Sequence, residues 1–176
     1  MPALSLLRHA KSGWDDPGLS DFDRPLAARG RNAAPRIGRW MSRWMEETGP
    51  AVDLILCSSA RRTRETLDLI APFLRPRPSV VFEDGLYHAE APLLLRRVRA
   101  LGPVRHALVI GHNPGLHELA LTLVGKADAA ELRALAAKLP TAGFVALEAA
   151  GSTWNDLGPR SCRLAAFMTP KRLPDA

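Results

Sequence analysis

Short apolar runs alternate with amphipathic stretches along most of this chain. Ala3 to Leu7 is one such run, closed by Arg8-His9, and reads as a buried strand. Val52 to Cys57 is again a short apolar run, and Ser79 to Phe82 and Ala107 to Ile110 read as a third and a fourth strand. Helical patterns lie between them. Ile37, Trp40, Met41, Trp44 and Met45 recur at the i, i+3, i+4, i+7, i+8 spacing of one buried face, with Pro35 expected in or near the first turn and Gly49-Pro50 as the stop. Arg61 to Phe73 and Ala91 to Leu101 supply two more helices, and another begins after Gly115. Lys11 to Pro25 breaks the alternation. It is rich in Gly, Asp, Ser and Pro, shows no period, and reads as a long loop of the kind that usually carries function.

Strands alternating with helices predict an α/β fold in three layers, a mostly parallel central sheet with helices on both faces. The final third departs from this pattern: Phe144 to Glu148 and Arg163 to Phe167 are strand-like, with Trp154 and a Gly-Pro turn between them, and suggest an added hairpin or edge strands. No repeat, linker or composition shift divides the chain, so residues 1–176 are expected to form one domain.

With 47% hydrophobic and 24% charged residues in 176, the chain can bury a sizeable core, which argues against disorder. No apolar stretch approaches the ~18 residues of a membrane-crossing helix, and the N-terminal run is too short for a signal peptide. A cytoplasmic protein is expected. Its two cysteines, Cys57 and Cys162, form no spaced framework and fit a reducing compartment. Net charge is the first feature to point to a partner: +6, with a pI near 10.1, favours an anionic substrate or surface.

Three strand ends carry basic or imidazole groups: Arg8-His9 after the first, Ser58 with Arg61, Arg62 and Arg64 after the second, and His112 after the fourth. A doubly wound sheet brings them together. Several cations without carboxylate partners make poor core, because each is expensive to bury, but they suit a phosphoryl group, which Arg grips with bidentate bonds.

The chain resembles the histidine phosphatase superfamily, which includes the phosphoglycerate mutases. Within it, the nearest likeness is to the small SixA-type phosphohistidine phosphatases. The resemblance rests on an ordered set of motifs: Arg8-His9-Ala10-Lys11-Ser12, Asp23-Arg24-Pro25-Leu26 with Arg29-Gly30, Ser58 with Arg62 and Thr66, Leu86-Tyr87-His88, Gly111-His112-Asn113-Pro114-Gly115, Pro140-Thr141, Trp154 and Pro170-Lys171. It implies a phosphoglycerate mutase-like fold and a nucleophilic His9 that is transiently phosphorylated, with Arg8, Arg62 and His112 holding the phosphate oxygens. It implies no metal or other cofactor. Ser12 and Ser58 are candidate substrate-binding groups or caps of the segments that follow them. His88, His106 and His117 receive no role and are expected on the surface or in the core.

Substrate class turns on a proton donor, since an alkoxide leaving group needs one and an imidazole does not. Glu83, Asp84 and Glu90 flank the region where a donor would sit, with Tyr87 or His88 in the place of a mutase-like Glu. This favours phosphohistidine on a signalling or phosphotransfer protein, the alternative being a metal-independent phosphomonoesterase acting on small esters. Binding of phosphate-like anions is expected either way, by a monomer.

Other classes fit less well. A cysteine phosphatase needs an Arg six positions after its Cys, and that place after Cys57 holds Thr63 between Arg62 and Arg64. A nucleic-acid module would show zinc-ligand spacing or aromatic-rich strands, whereas one Tyr and five Phe leave little for stacking. Metal binding by His112 and His117 fails because a five-residue separation misses one helical face.

Overall fold

The computed structural model describes residues 1–174. Its strands are β1 (Ala3–Arg8), β2 (Leu54–Ser58), β3 (Ser79–Glu83), β4 (His106–Gly111), β5 (Val124–Lys126), β6 (Phe144–Ala149) and β7 (Cys162–Met168), joined in one sheet of order β3-β2-β4-β1-β6-β7-β5. The helices are α1 (Ala28–Thr48), α2 (Arg61–Ile70), α3 (Ala91–Arg99), α4 (Gly115–Leu123) and α5 (Ala129–Ala137). Strands β3, β2, β4 and β1 run parallel, and β6 joins β1 and β7 in antiparallel fashion.

Alternation along each central strand explains why both faces need cover. Leu4, Leu6, Leu56, Val109, Val145 and Leu147 point to one face, where Leu94, Val98, Leu116, Leu119 and Leu135 of α3, α4 and α5 meet them. Leu7, Ile55, Leu108, Ile110 and Phe144 point to the other, against Ile37, Met41, Leu67 and Ile70 of α1 and α2. The result is the expected three-layer α/β architecture. Among the described residues no helix is long and apolar enough to cross a membrane.

Two local expectations need correction. Pro35 lies inside α1, not in its first turn, because the helix already starts at Ala28. That start is fixed by the preceding loop: the Ala27 amide donates to the Lys11 carbonyl at 2.8 Å, and Gly30 packs so tightly that a Cβ would lie 2.2 Å from the same oxygen. The second concerns the C-terminal strands, which pair as the expected antiparallel hairpin but lie inside the sheet and not at its edge. β6 is an interior strand between β1 and β7, and the edge on that side belongs to the three-residue β5. Nearly every β6 residue is buried, as a strand covered on both faces requires.

Candidate active site

The carboxyl ends of β1, β2 and β4 set the chemistry in place. His9 follows β1, and its amide donates to the Gly111 carbonyl at the end of β4. That bond brings His9 and His112 side by side, with ring centroids 5.3 Å apart. Arg62 enters from the first turn of α2, just after β2. Together with Arg8, Lys11, Ser12, Trp14, Asp21, Arg24, His88, Asn113 and Thr141, these groups line a cavity of about 220 Å³.

The ring nitrogens of His9 are already distinguished. Nδ1 lies 2.7 Å from the Ala10 carbonyl, which can only accept, so Nδ1 carries the proton and Nε2 keeps its lone pair. Burial, followed by the charges of Arg62, Arg8 and Arg24, outweighs the Ala10 hydrogen bond and lowers the His9 pKa to about 3. It is therefore neutral at physiological pH. His112 is likewise driven to about 2, by burial first and then by His9, Arg62 and His88. Its Nε2 is 2.7 Å from the Ser58 hydroxyl. With that hydroxyl donating, Nδ1–H of His112 is a donor without a protein partner.

Unpaired polar atoms, three of them nitrogens, concentrate here. Among the described residues, the buried side-chain polar atoms without a partner are Arg8 Nε, Arg62 Nε, His112 Nδ1 and Asn113 Oδ1, all from residues that line the cavity. Buried polar atoms are normally satisfied, so a cluster of exceptions needs a reason. Charge gives the same indication: Arg8, Lys11, Arg24 and Arg62 face a single lining carboxylate, Asp21.

Asp21 ties the cations together. Its Oδ1 accepts from Arg24 at 2.8 and 3.0 Å, and its Oδ2 accepts from Arg62 at 3.0 Å and from the Tyr87 hydroxyl at 2.5 Å. Partial burial opposes its ionised form, yet the hydrogen bonds from Tyr87 and Arg24 and the charges of Arg62 and Arg24 hold the carboxyl below its usual range. Asp21 is thus an acceptor and not a proton donor.

The expected residues Arg8, His9, Arg62 and His112 all meet in the cavity, and so does Ser12, whose hydroxyl accepts from Arg24 at 2.8 Å. Ser58 does not reach it. Its hydroxyl is fully buried behind His112 and orients that ring from outside the cavity, instead of lining it as a substrate-binding group would. His88, expected on the surface or in the core, instead lines the cavity, with Nε2 3.2 Å from Arg62 Nη2. His106 and His117 stay outside: His106 is buried between Ser5 and Pro50, and His117 bonds the Leu135 carbonyl.

None of the three flanking carboxylates faces the cavity. Glu83 is gripped by Arg97 at 2.6–3.0 Å, Asp84 accepts from Ser59, and Glu90 is exposed at the start of α3. Cys57 is fully buried, and burial pushes its thiol up to about 12, which leaves no thiolate for catalysis. Trp14, Asp21 and the roles of Lys11 and Arg24 were missed by sequence reasoning. For Trp14 and Asp21 the only signal was the length of the Lys11 to Pro25 loop, whereas Lys11 and Arg24 stood within motifs of the family resemblance.

A sequence profile of the histidine phosphatase superfamily (branch 1) matches residues 4–88. An uncharacterised protein of Mycobacterium tuberculosis is 36% identical over 168 residues, covering 94% of this chain and 100% of the relative. Two solved structures, each provisionally named phosphohistidine phosphatase SixA, are similar throughout. The one from Agrobacterium tumefaciens is 29% identical with a TM-score of 0.79, covering 97% of this chain and 99% of its own. The other, from Nakamurella multipartitia, is 28% identical with a TM-score of 0.78, covering 96% of each chain.

Proposed function

This chain belongs to the histidine phosphatase superfamily and is a phosphatase, and we propose that it removes phosphate from phosphohistidine on a signalling or phosphotransfer protein. Four cations against one carboxylate around a neutral, correctly protonated imidazole is the observation that carries this reading.

In the first step His9 Nε2 attacks phosphorus, and the bond from phosphorus to the substrate's imidazole, whose other ring nitrogen carries a proton, breaks with its electron pair leaving on the nitrogen, so that neutral imidazole departs. Arg8, Arg62 and the free Nδ1–H of His112 stabilise the charge spread over the phosphoryl oxygens during transfer. Water then attacks the phosphoryl group on His9, one of its protons passes to the phosphate, and neutral His9 returns. Ser58 keeps the His112 ring turned so that its donor stays available. An alkoxide would need a proton on departure, but Glu83, Asp84 and Glu90 stand outside the cavity and Asp21 is held ionised. An imidazole already protonated on its other ring nitrogen leaves as a neutral ring without that help, which is why phosphohistidine is favoured over alkyl esters.

The test compares kcat/KM on a phosphohistidine protein, phosphoserine peptides and sugar phosphates, in the presence of chelator. Phosphohistidine should be the best substrate. His9→Ala should abolish turnover with the fold intact by circular dichroism, and only wild-type enzyme should acquire acid-labile, base-stable radiolabel. Sugar phosphates proving best would move the assignment to a general phosphomonoesterase.

A further inference from the structure

The cavity lining divides by exposure into a floor and a rim. His9, Ser12, Arg24, Arg62 and His112 are buried, whereas Lys11, Trp14 and His88 are exposed. In-line transfer puts the leaving group opposite the nucleophile. With His9 only 7% exposed on the floor, that group departs past the rim.

Trp14 is an unusual rim residue. It is 70% exposed, more than any other described large hydrophobic side chain except Met1, although indole surface is normally buried. It is not loose. The Arg24 guanidinium lies 3.6 Å from the centre of its ring, and Arg24 is itself fixed by Asp21, Ser12 and the Gly13 carbonyl. The backbone on either side is pinned as well: Ser12 bridges to Leu26, and the Gly13 amide donates to the Pro25 carbonyl at 3.0 Å. One face of the indole is backed by a cation, and the ring stands open at the mouth of the phosphate site. The other rim ring, His88, is already stacked on Tyr87, with centroids 4.2 Å apart.

We infer that Trp14 is a specificity platform whose free face stacks on a planar leaving group, so that the site selects phosphate attached to an aromatic ring, imidazole included, over phosphate on ringless groups. The inference rests on the floor being the phosphoryl site, and it adds what the rim recognises. Stacking of one ring pair is worth roughly a 3- to 10-fold change in affinity.

Calorimetric titration of wild type, Trp14→Ala and Trp14→Phe with phenylphosphonate and methylphosphonate tests it without turnover. Wild type should bind the phenyl compound more tightly by roughly 3- to 10-fold. That ratio should fall to near one in Trp14→Ala and persist in Trp14→Phe. The kcat/KM ratio of free phosphohistidine to phosphoramidate, whose leaving group has no ring, should fall in parallel. An unchanged phenyl-to-methyl ratio in Trp14→Ala overturns the inference, and so does an equal weakening of both phosphonates, which would mean that Trp14 serves only to back Arg24. Failure of the wild type to hydrolyse phosphohistidine, with the Trp14-dependent phenyl preference intact, would overturn the substrate assignment and leave the platform standing.

Discussion

Asp21 carries a charge that opposes the ligand its neighbours are arranged to bind. Without an anion in the cavity, it is the counter-charge for Arg24 and for Arg62, which is 1% exposed and cannot turn to water. Removing one partner of such a pair leaves a buried cation uncompensated. Asp21→Asn keeps the shape but loses the charge and turns one acceptor into a donor among donors. The ligand-free variant should lose about 1–3 kcal/mol, the scale of hydrogen bonds to charged groups. Phosphate should then replace the missing anion, so the rise in Tm that saturating phosphate produces should be larger in Asp21→Asn than in wild type. Differential scanning calorimetry with and without phosphate checks this. A smaller rise in the variant would show that Asp21 matters more for positioning the guanidiniums than for opposing the ligand.

At the scale of elements, the site depends on how closely loops seat against strand and helix ends. Gly115 opens α4 directly after the β4 loop, and a Cβ there would lie 1.9 Å from the Ala89 carbonyl, one residue beyond His88. Gly115→Ala must therefore displace the segment that holds Tyr87 and His88, at a cost of about 1–3 kcal/mol as an overpacked contact. Gly102→Ala, with nothing within 4 Å, should leave stability nearly unchanged and serves as the control in urea unfolding. The same distinction separates what the sequence made legible from what it did not. β1, β2 and β4 announce themselves because continuous burial requires continuous apolar runs, and Arg8, His9, Arg62 and His112 follow from the ends of those elements. β5 has only three residues, and α5 buries only Leu135 with a short alanine-rich pattern, so neither leaves a period to detect. Trp14, Asp21 and Arg24 lie in a loop held by individual hydrogen bonds, for which no spacing rule exists.

For the whole molecule, the pocket couples function to acid stability. His9 and His112 have folded pKa values of about 3 and about 2, below the ~6.5 of an unfolded histidine. Between these limits the unfolded chain binds more protons than the folded one, so stability is fully present above about pH 6.5 and falls as pH drops toward 3. Each histidine kept neutral contributes a slope of about 1.4 kcal/mol per pH unit, so the pair removes roughly 4 kcal/mol by pH 5. Asp21, held below its usual range, adds a loss of the same sign only at lower pH, as its carboxylate takes up a proton. Burial also lowers His106, which lies outside the site and contributes in the same direction. The net charge of +6 rises in acid as well, but repulsion among exposed charges is screened by salt, whereas burial of an imidazole is not. Urea midpoints measured at high salt between pH 7.5 and 5 should therefore still fall in wild type. The fall should be shallower in a His9→Ala, His112→Asn double variant, where only His106 of the three lowered histidines remains. Saturating phosphate should flatten it in wild type too, because an anion among Arg8, Arg62 and the two rings favours their protonated forms. A slope identical in the double variant and in wild type would show that acid instability arises outside the pocket.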